Sequence, residues 1–206
     1  MSTKTKIILT TLLGVAWAVA AVLGGHALLK YENSPGKVGN VSLAWPPNSS
    51  IQPDPEHATL VMFAHPQCPC SRASMDELAQ IMARAQGKVR AYVLFYTPRD
   101  AGSDWQDTST HRGAARIPGV TVLSDFDGVE AARFGAETSG HTLLFDQSGR
   151  LLFNGGITAS RGHSGANTGE NAIVSLIDHQ IAKRNQTLVF GCAFKSQRSR
   201  DLKCLR

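Results

Sequence analysis

The sequence has few cysteines for its length, with four among 206 residues. They form two pairs along the chain, Cys68 with Cys70 and Cys192 with Cys204, which does not describe a disulfide-stapled scaffold. The chain also lacks a basic stretch in its middle, because residues 7–182 carry a net charge of −3 while both ends are positive. Nucleic acid is therefore a poor candidate for the partner.

No charged residue lies between Lys6 and Lys30. As a helix, this run of 23 residues would span roughly 34 Å, which is enough to cross the hydrocarbon core of a membrane. The preceding Lys4 and Lys6 predict a single-pass membrane protein with a cytoplasmic N-terminus and an exported, periplasmic or otherwise extracytoplasmic main domain. A cleaved signal peptide is the alternative, because Ala18-Val19-Ala20 resembles a cleavage site.

The composition predicts four segments along the chain. Residues 1–30 form the signal anchor or transmembrane helix, and residues 31–56 form a linker and lead-in in which prolines and glycines forbid a long helix. Residues 57–194 form the folded domain. Residues 195–206 form a basic tail, for which the charge predicts a solvated end and, alternatively, contact with lipid headgroups.

The folded domain is organised around one stretch, residues 59–78. Thr59–Ala64 is rich in β-forming residues, and apolar residues recur at helical spacing after Pro69, a residue that suits a first helical position. Cys68 therefore lies at or just before a helix N-terminus. Free backbone N–H groups and the helix dipole favour a thiolate there, and this makes the cysteine a nucleophile.

The rest of the domain alternates between strand and helix patterns, which predicts an α/β fold with a mixed sheet. In the last helix, Thr168 is expected to be the N-cap and the inward positions are expected to be Ala172, Leu176, Ile177 and Ile181. The predicted elements are strands at 88–97, 121–124, 140–145 and 150–153, and helices at 128–134 and 168–183. Residues 100–116 are expected to form either a polar helix, whose start Asp107 or Thr108 could cap, or an irregular excursion.

The stretch around Cys68 resembles the active-site segment of the thioredoxin-like superfamily, especially its membrane-anchored extracytoplasmic branch. Cys68 falls on the nucleophilic cysteine, Arg72 on the arginine that follows the motif, and residues 75–78 on the Met-x-Glu-Leu of the helix. Ser71 occupies the usual second cysteine position, and Cys70 lies one residue earlier. The segment Cys-Pro-Cys-Ser-Arg-Ala-Ser is most similar to the RedB-type group. The resemblance implies a thioredoxin-like fold, with a mixed central sheet flanked by helices.

The same resemblance points to further site residues. The thioredoxin-like family usually has a proline in the cis conformation that faces the nucleophile. That position corresponds to Gly140 here, and His141 lies beside it. The run Gly-Gly-Ile-Thr-x-x-Arg-Gly-His of the RedB-type group is matched by residues 155–163, a polar, glycine-rich region suited to ligand contact. Gly140, His141, Arg161 and His163 are therefore candidate substrate-binding residues.

These features together predict a membrane-anchored thiol–disulfide oxidoreductase that needs no cofactor and acts on a protein thiol or disulfide. Cys68 attacks, and Cys70 or Cys192 resolves the mixed disulfide. A disulfide between Cys68 and Cys70 would close a small, strained ring. Cys192 has an alternative role in a structural disulfide with Cys204.

The alternative function is a copper or zinc chaperone. Cys68 and Cys70 supply two soft ligands close together, and His141 or His65 would complete the site. Peroxide reduction ranks last, because His65 stands where a peroxidatic site usually has threonine.

Overall fold

The structure is a computed structural model that describes residues 2–102, 105–182 and 184–194. The chain divides into two compact units, Met1–Ser34 and Pro35–Arg206. The first unit contains the helix α1 (Thr3–Glu32), which is long and apolar enough to cross a membrane by length and composition. A signal sequence near the N-terminus passes the same test. The expected N-terminal apolar helix is therefore present.

The second unit contains one five-stranded sheet in the order β3-β2-β1-β4-β5. Strands β1, β2 and β3 are parallel, whereas β4 is antiparallel to both β1 and β5, so the predicted mixed α/β fold is confirmed. The elements in chain order are β1 (Ala58–Ala64), α2 (Cys70–Ala85), β2 (Val89–Thr97), α3 (Ser109–Ala115), β3 (Val120–Phe126), α4 (Val129–Phe134), β4 (His141–Phe145), β5 (Leu151–Gly155) and α5 (Thr168–Ile177).

The core has two layers because the central strand β1 is buried on both faces. Side chains alternate along a strand, so Leu60 and Met62 point into one layer while Val61 and Phe63 point into the other. The first layer also contains side chains of α2 and α5. The second layer contains Phe134 of α4 and residues of the lead-in before β1.

Helix starts follow local sequence rules closely. Thr108 caps α3 by accepting a backbone N–H at 3.2 Å, as predicted. The cap of α5 was expected at Thr168 but is Asn167, whose side chain accepts a first-turn N–H at 2.8 Å. Asn167 is an equally good capping residue, and its extended backbone leaves Thr168 as the first helical residue.

The predicted end of α5 near Lys183 is wrong. The helix ends at Ile177, and His179 adopts a left-handed backbone conformation with φ +57°. Ile181 was expected to face the core but is 99% exposed. The prediction extended the helix to Lys183 because apolar residues continue at helical spacing beyond Ile177. The left-handed residue His179 ends the helix, but it does not interrupt that spacing in the sequence.

The chain beyond α5 passes along the edge strand β5 and then along residue 138 as residues 185–194, called here the returning segment, which contains two isolated bridges and no helix. It forms a parallel bridge from Gln186 to Asn154 of β5. A Cβ atom at Gly155 would overlap Thr187, so this glycine lets the two backbones approach closely. Further on, Ala193 forms an antiparallel bridge with Thr138, just before β4. The returning segment thereby reaches the end of the sheet where α2 begins.

Candidate functional site

Cys68 lies in the turn between β1 and α2, in the position predicted for it. Its N–H donates to the His65 carbonyl at 3.1 Å, and its own carbonyl accepts the Ser71 N–H at 3.0 Å. Pro69 is the N-cap and α2 begins at Cys70. The Cys68 side chain is only 4% exposed.

Cys192, in the returning segment, lies directly against Cys68. The two Sγ atoms are 2.9 Å apart and share a hydrogen bond, although the residues are 124 positions apart in sequence. This contact lowers the pKa of Cys68 to about 5, because once Cys68 has lost its proton Cys192 donates to the thiolate. Burial opposes the shift, whereas the backbone N–H groups of Cys192 and Cys70 and the Ser71 hydroxyl support it. These donors therefore favour the thiolate form of Cys68.

The two other cysteines at the site are held in the thiol form. The hydrogen bond to Cys68 raises the pKa of Cys192, and burial adds to this. Burial raises the pKa of Cys70, and so does the nearby charge of Cys68. The Arg161 guanidinium opposes both shifts. One thiolate thus lies beside two thiols, and only the thiolate is a strong nucleophile.

Ser139 joins the cysteine turn to the returning segment. Its N–H donates to the Cys192 carbonyl at 2.8 Å, and its Oγ accepts the His65 N–H at 2.9 Å. The same hydroxyl lies 3.0 Å from Ser71 Oγ, which donates to the His65 carbonyl. Nothing in the local sequence marks Ser139, because its role depends on three segments that meet only in the fold.

Gly140 stands at the position where the family resemblance expects a proline in the cis conformation. Its φ is +88°, and its N–H donates to the Phe63 carbonyl of β1 at 2.7 Å. Proline has no N–H and is confined to φ near −65°, so it fits neither feature. The described residues contain no cis peptide bond.

His141 is fully buried in β4. Its Nε2 shares a 2.6 Å hydrogen bond with Asn154 Oδ1, and burial lowers its pKa. Within the described ranges, no group of three or more His, Cys, Asp or Glu side chains is arranged to hold a metal ion. The alternative metal set of Cys68, Cys70 and His141 is therefore not gathered into a ligand cluster.

The glycine-rich loop before α5 contacts the returning segment through Arg161. Its guanidinium donates to the Gly191 carbonyl, next to Cys192. His163 is exposed, and its Nδ1 lies 3.0 Å from the Arg161 carbonyl. Buried Glu77 of α2 fastens the loop by accepting the Gly165 N–H at 2.5 Å and the Asn167 amide at 3.0 Å. Of the two loop candidates, Arg161 reaches the cysteines and His163 faces solvent.

An aromatic cluster borders the cysteines on the other side. The His65 ring stacks on Tyr96 at 5.8 Å and lies 5.3 Å from Trp105. Phe194 stacks on the same Tyr96 at 6.0 Å. Burial lowers the pKa of His65, which favours a neutral ring. Phe194 and Cys192 are two positions apart, and alternate residues of an extended segment share a face. This spacing is the sequence signal that could have placed Phe194 at the site beside Cys192.

No protein-family model and no curated protein sequence matches this chain. Among solved structures, it is similar to a hypothetical protein of Sinorhizobium meliloti 1021, with TM-score 0.59, 20% identity, and coverage of 77% of this chain and 98% of that chain. It is also similar to an uncharacterized conserved protein of Geobacillus kaustophilus, with TM-score 0.55, 18% identity, and coverage of 80% and 93%. A looser match is a thioredoxin-like protein in its oxidised form, with TM-score 0.46, 18% identity, and coverage of 73% and 97%.

The fold is thioredoxin-like. A parallel β-α-β unit is followed by an antiparallel hairpin and a last helix, and the first helix after β1 begins at the cysteine turn. Ligands in such open sheets bind beyond the carboxyl ends of the parallel strands, which is where the cysteine turn lies. At these identities, likeness to solved structures defines the fold and leaves the activity open.

Proposed function

We propose that this protein is a membrane-anchored thiol–disulfide oxidoreductase whose redox pair is Cys68 and Cys192. The observation that carries the proposal is the 2.9 Å contact between the two Sγ atoms, together with the lowered pKa of Cys68 and the raised pKa of Cys192. A nucleophile and a resolving thiol need this pairing of one thiolate with one adjacent thiol.

The reaction transfers two electrons between the protein and a partner disulfide. The Cys68 thiolate attacks one partner sulfur, a Cys68–partner disulfide forms, and the second partner sulfur leaves as a thiolate. Cys192 then loses its proton and attacks Cys68, so the Cys68–Cys192 disulfide forms and the first partner sulfur is released. The partner is reduced and the protein oxidised, and the reverse sequence oxidises a partner dithiol.

Cys192 is a better resolving residue than Cys70. Cys70 is the first residue of α2 and belongs to the same turn as Cys68, so a bond between them closes a small, strained ring. Cys192 belongs to the returning segment, which contains no helix and is distant from Cys68 in sequence, so a bond between them does not close a small ring. Cys70 acts instead as a buried neighbour whose thiol hydrogen bonds to Cys68.

Trapping with full-length variants tests the proposal. Cys192→Ser should accumulate a mixed disulfide between Cys68 and a partner, because the resolving thiol is gone. The matched control Cys70→Ser should accumulate none and should retain disulfide reductase activity. Trapping by Cys70→Ser alone would transfer the resolving role to Cys70. If neither variant traps a partner and the wild type reduces no disulfide, the proposed function fails.

The proposal places α1 in a membrane, with its N-terminus in the cytoplasm and the thioredoxin-like domain in the periplasm or an equivalent compartment. Support comes from the length and composition of α1 and from Lys4 and Lys6 before its apolar run. The intact mass of protein recovered from membranes checks this. A retained anchor leaves the full 22.1 kDa chain, whereas cleavage leaves a shorter one.

A further inference from the structure

Two buried glutamates face each other where α2 packs against α5. Glu77 of α2 is fully buried, and Glu170, in the first turn of α5, is only 1% exposed. The two carboxyl groups share a hydrogen bond. Such a bond needs a proton on one of the two groups, so the pair holds one proton and one negative charge. The thiol–disulfide chemistry of Cys68 and Cys192 uses neither glutamate.

Glu77 is the better place for the negative charge. Its oxygens accept the Gly165 N–H at 2.5 Å and the Asn167 side-chain amide at 3.0 Å. Glu170 Oε1 lies 3.2 Å from the half-exposed Arg84 guanidinium and accepts no hydrogen bond from the described residues. Burial raises the pKa of Glu170, and so do the charge of Glu77 and the hydrogen bond with it, whereas Arg84 opposes the rise. The proton therefore lies on Glu170.

The carboxyl pair holds the end of the glycine-rich loop. The Asn167 amide donates to Glu77, while Asn167 Oδ1 accepts the Glu170 N–H at 2.8 Å. At the other end of the loop, the Arg161 guanidinium donates to the Gly191 carbonyl of the returning segment. The loop therefore connects the carboxyl pair to the segment that carries the second cysteine of the site.

One cation compensates the pair. Strand β5, which packs against α5, carries no charge, and Asp178 at the end of α5 is paired with Lys88. The other charged or titratable side chains on α2 and the loop are Cys70, Arg72, Asp76, Arg84, Arg161 and His163. Among the described residues, only Arg84 forms an ion pair with Glu170. Ionising Glu170 would leave two buried negative charges beside one half-exposed cation.

We propose that Glu77 and Glu170 form a proton-dependent clamp, in which one shared proton holds the glycine-rich loop in place and, through Arg161, the segment of Cys192. When the proton is lost, the two buried carboxylates repel each other. The first turn of α5 then moves away from α2, and Asn167 loses its contact with Glu77. This inference goes beyond the proposed function and does not depend on it, because it concerns the position of the loop and not the reaction of the thiols.

The direction of the pH dependence follows from the carboxyl pair. Because the pKa of Glu170 is raised in the folded state, the stabilising proton is bound at low pH and is lost as the pH rises above the ordinary range of a glutamate. The clamp is therefore closed at low pH and opens as the pH rises.

Hydrogen exchange of the full-length protein, read by mass spectrometry between pH 5 and pH 8, tests the clamp. Protection is the exchange rate of a segment in the unfolded chain divided by its rate in the native protein, which removes the intrinsic effect of pH. The reporter segments are residues 163–167 and 189–192, and the amides of β1 report global stability.

Two variants isolate the proton. Glu170→Gln cannot ionise, yet its amide can donate to Glu77 as the protonated carboxyl group does. Glu130→Gln is the matched control, because Glu130 is also a buried glutamate in a first helical turn but belongs to α4.

In the wild type, we expect the protection of both reporter segments to fall about tenfold or more between pH 5 and pH 8, because a buried charge without full compensation opens the loop. In Glu170→Gln, the change should stay below about twofold while β1 remains protected. Glu130→Gln should show the wild-type fall. Arg84→Gln should move the fall to higher pH, because the charge that favours ionised Glu170 is gone.

A wild-type loop whose protection changes less than about twofold, or a fall that persists in Glu170→Gln, overturns the clamp. A fall confined to residues 163–167 overturns the link to Cys192. If Glu170→Gln does not fold, Arg84→Gln decides, and a fall that stays in place or moves to lower pH overturns the clamp. Disulfide reduction by the wild type is measured separately, because its absence refutes the proposed function and leaves the clamp intact.

Discussion

Cys68 and Cys192 share one hydrogen bond, yet the segments that carry them differ in every structural respect. Cys68 lies in a tight turn whose hydrogen bonds run between His65 and Ser71, just before a 16-residue helix. Cys192 lies in an extended segment held by the loop arginine Arg161 and by Ser139. The helix start supplies backbone donors to the Cys68 sulfur, and the returning segment supplies a neighbouring thiol.

The comparison teaches that one cysteine holds a lowered pKa and its neighbour a raised one. The pKa of Cys68 falls because several donors converge on it, and the first of them is Cys192 itself. The pKa of Cys192 rises because its proton serves that thiolate. The two shifts have one physical cause, because a single proton lies between two sulfur atoms 2.9 Å apart.

The largest expected effect is the loss of the acidic thiolate. Cys68→Ser should lower alkylation of the chain by a small reagent at pH 6 by about 100-fold or more, since a thiol of ordinary pKa is scarcely ionised there. In the wild type the rate should rise with pH and reach half its plateau near pH 5, because only the deprotonated form reacts. Mass mapping of the alkylated residue checks the site. Unchanged alkylation at pH 6 would place the acidic thiol elsewhere.

The second largest expected effect measures how much Cys192 contributes to the low pKa of Cys68. Cys192→Ala removes the first donor to the thiolate, so the pKa of Cys68 should rise by about one to two units, the worth of one hydrogen bond to a charged group. Thiolate absorbance in the ultraviolet, followed through a pH titration, measures this. Cys70→Ala is the control and should raise the pKa of Cys68 less, because the Cys70 backbone N–H remains and Cys192 is the largest single cause of the low pKa. An equal rise of the Cys68 pKa in Cys192→Ala and Cys70→Ala would contradict the prediction that Cys192 is the main donor.

Displacing the returning segment without altering a sulfur gives a smaller effect. A Cβ atom at Gly191 would overlap the Ser139 carbonyl oxygen, so Gly191→Ala must push the segment away from the turn. The pKa of Cys68 should then rise by about one unit while the thiol becomes more accessible. The same ultraviolet titration gives the pKa. Gly113→Ala is the control, because a Cβ atom there meets nothing within 4 Å.

The smallest expected effect concerns Arg161. Arg161→Gln removes the positive charge that opposes the raised pKa of Cys70, so that pKa should rise further and alkylation of Cys70 at pH 9 should slow by about threefold. Quantitative mass spectrometry of the modified cysteine gives the rate. Arg99→Gln, a change at an exposed arginine paired with Asp127, should leave the rate unchanged. A rate that rises in Arg161→Gln would exclude this electrostatic role.

Local sequence patterns predicted the helices, strands and turns better than they predicted which residues contact one another in the fold. The turn at Cys68 and the cap at Thr108 follow from residue types within a few positions, and both are found where expected. The prediction that Ile181 faces the core was wrong, because apolar residues continue at helical spacing in the sequence after the helix has ended and the backbone has turned at His179. The partner of Cys68 could not be read from spacing, because Cys192 reaches it only after the chain has passed along β5 and residue 138.

The amino-acid sequence by itself determined that an apolar helix precedes a mixed α/β domain and that Cys68 stands before a helix start. Hydrophobic periodicity and helix-start chemistry act over a few residues, so they can be read directly. Only the tertiary structure decided that Cys192, 124 residues away, shares a hydrogen bond with Cys68 and that Phe194 packs on Tyr96. These contacts depend on how the sheet, the glycine-rich loop and the returning segment pack together, and no local pattern encodes that packing.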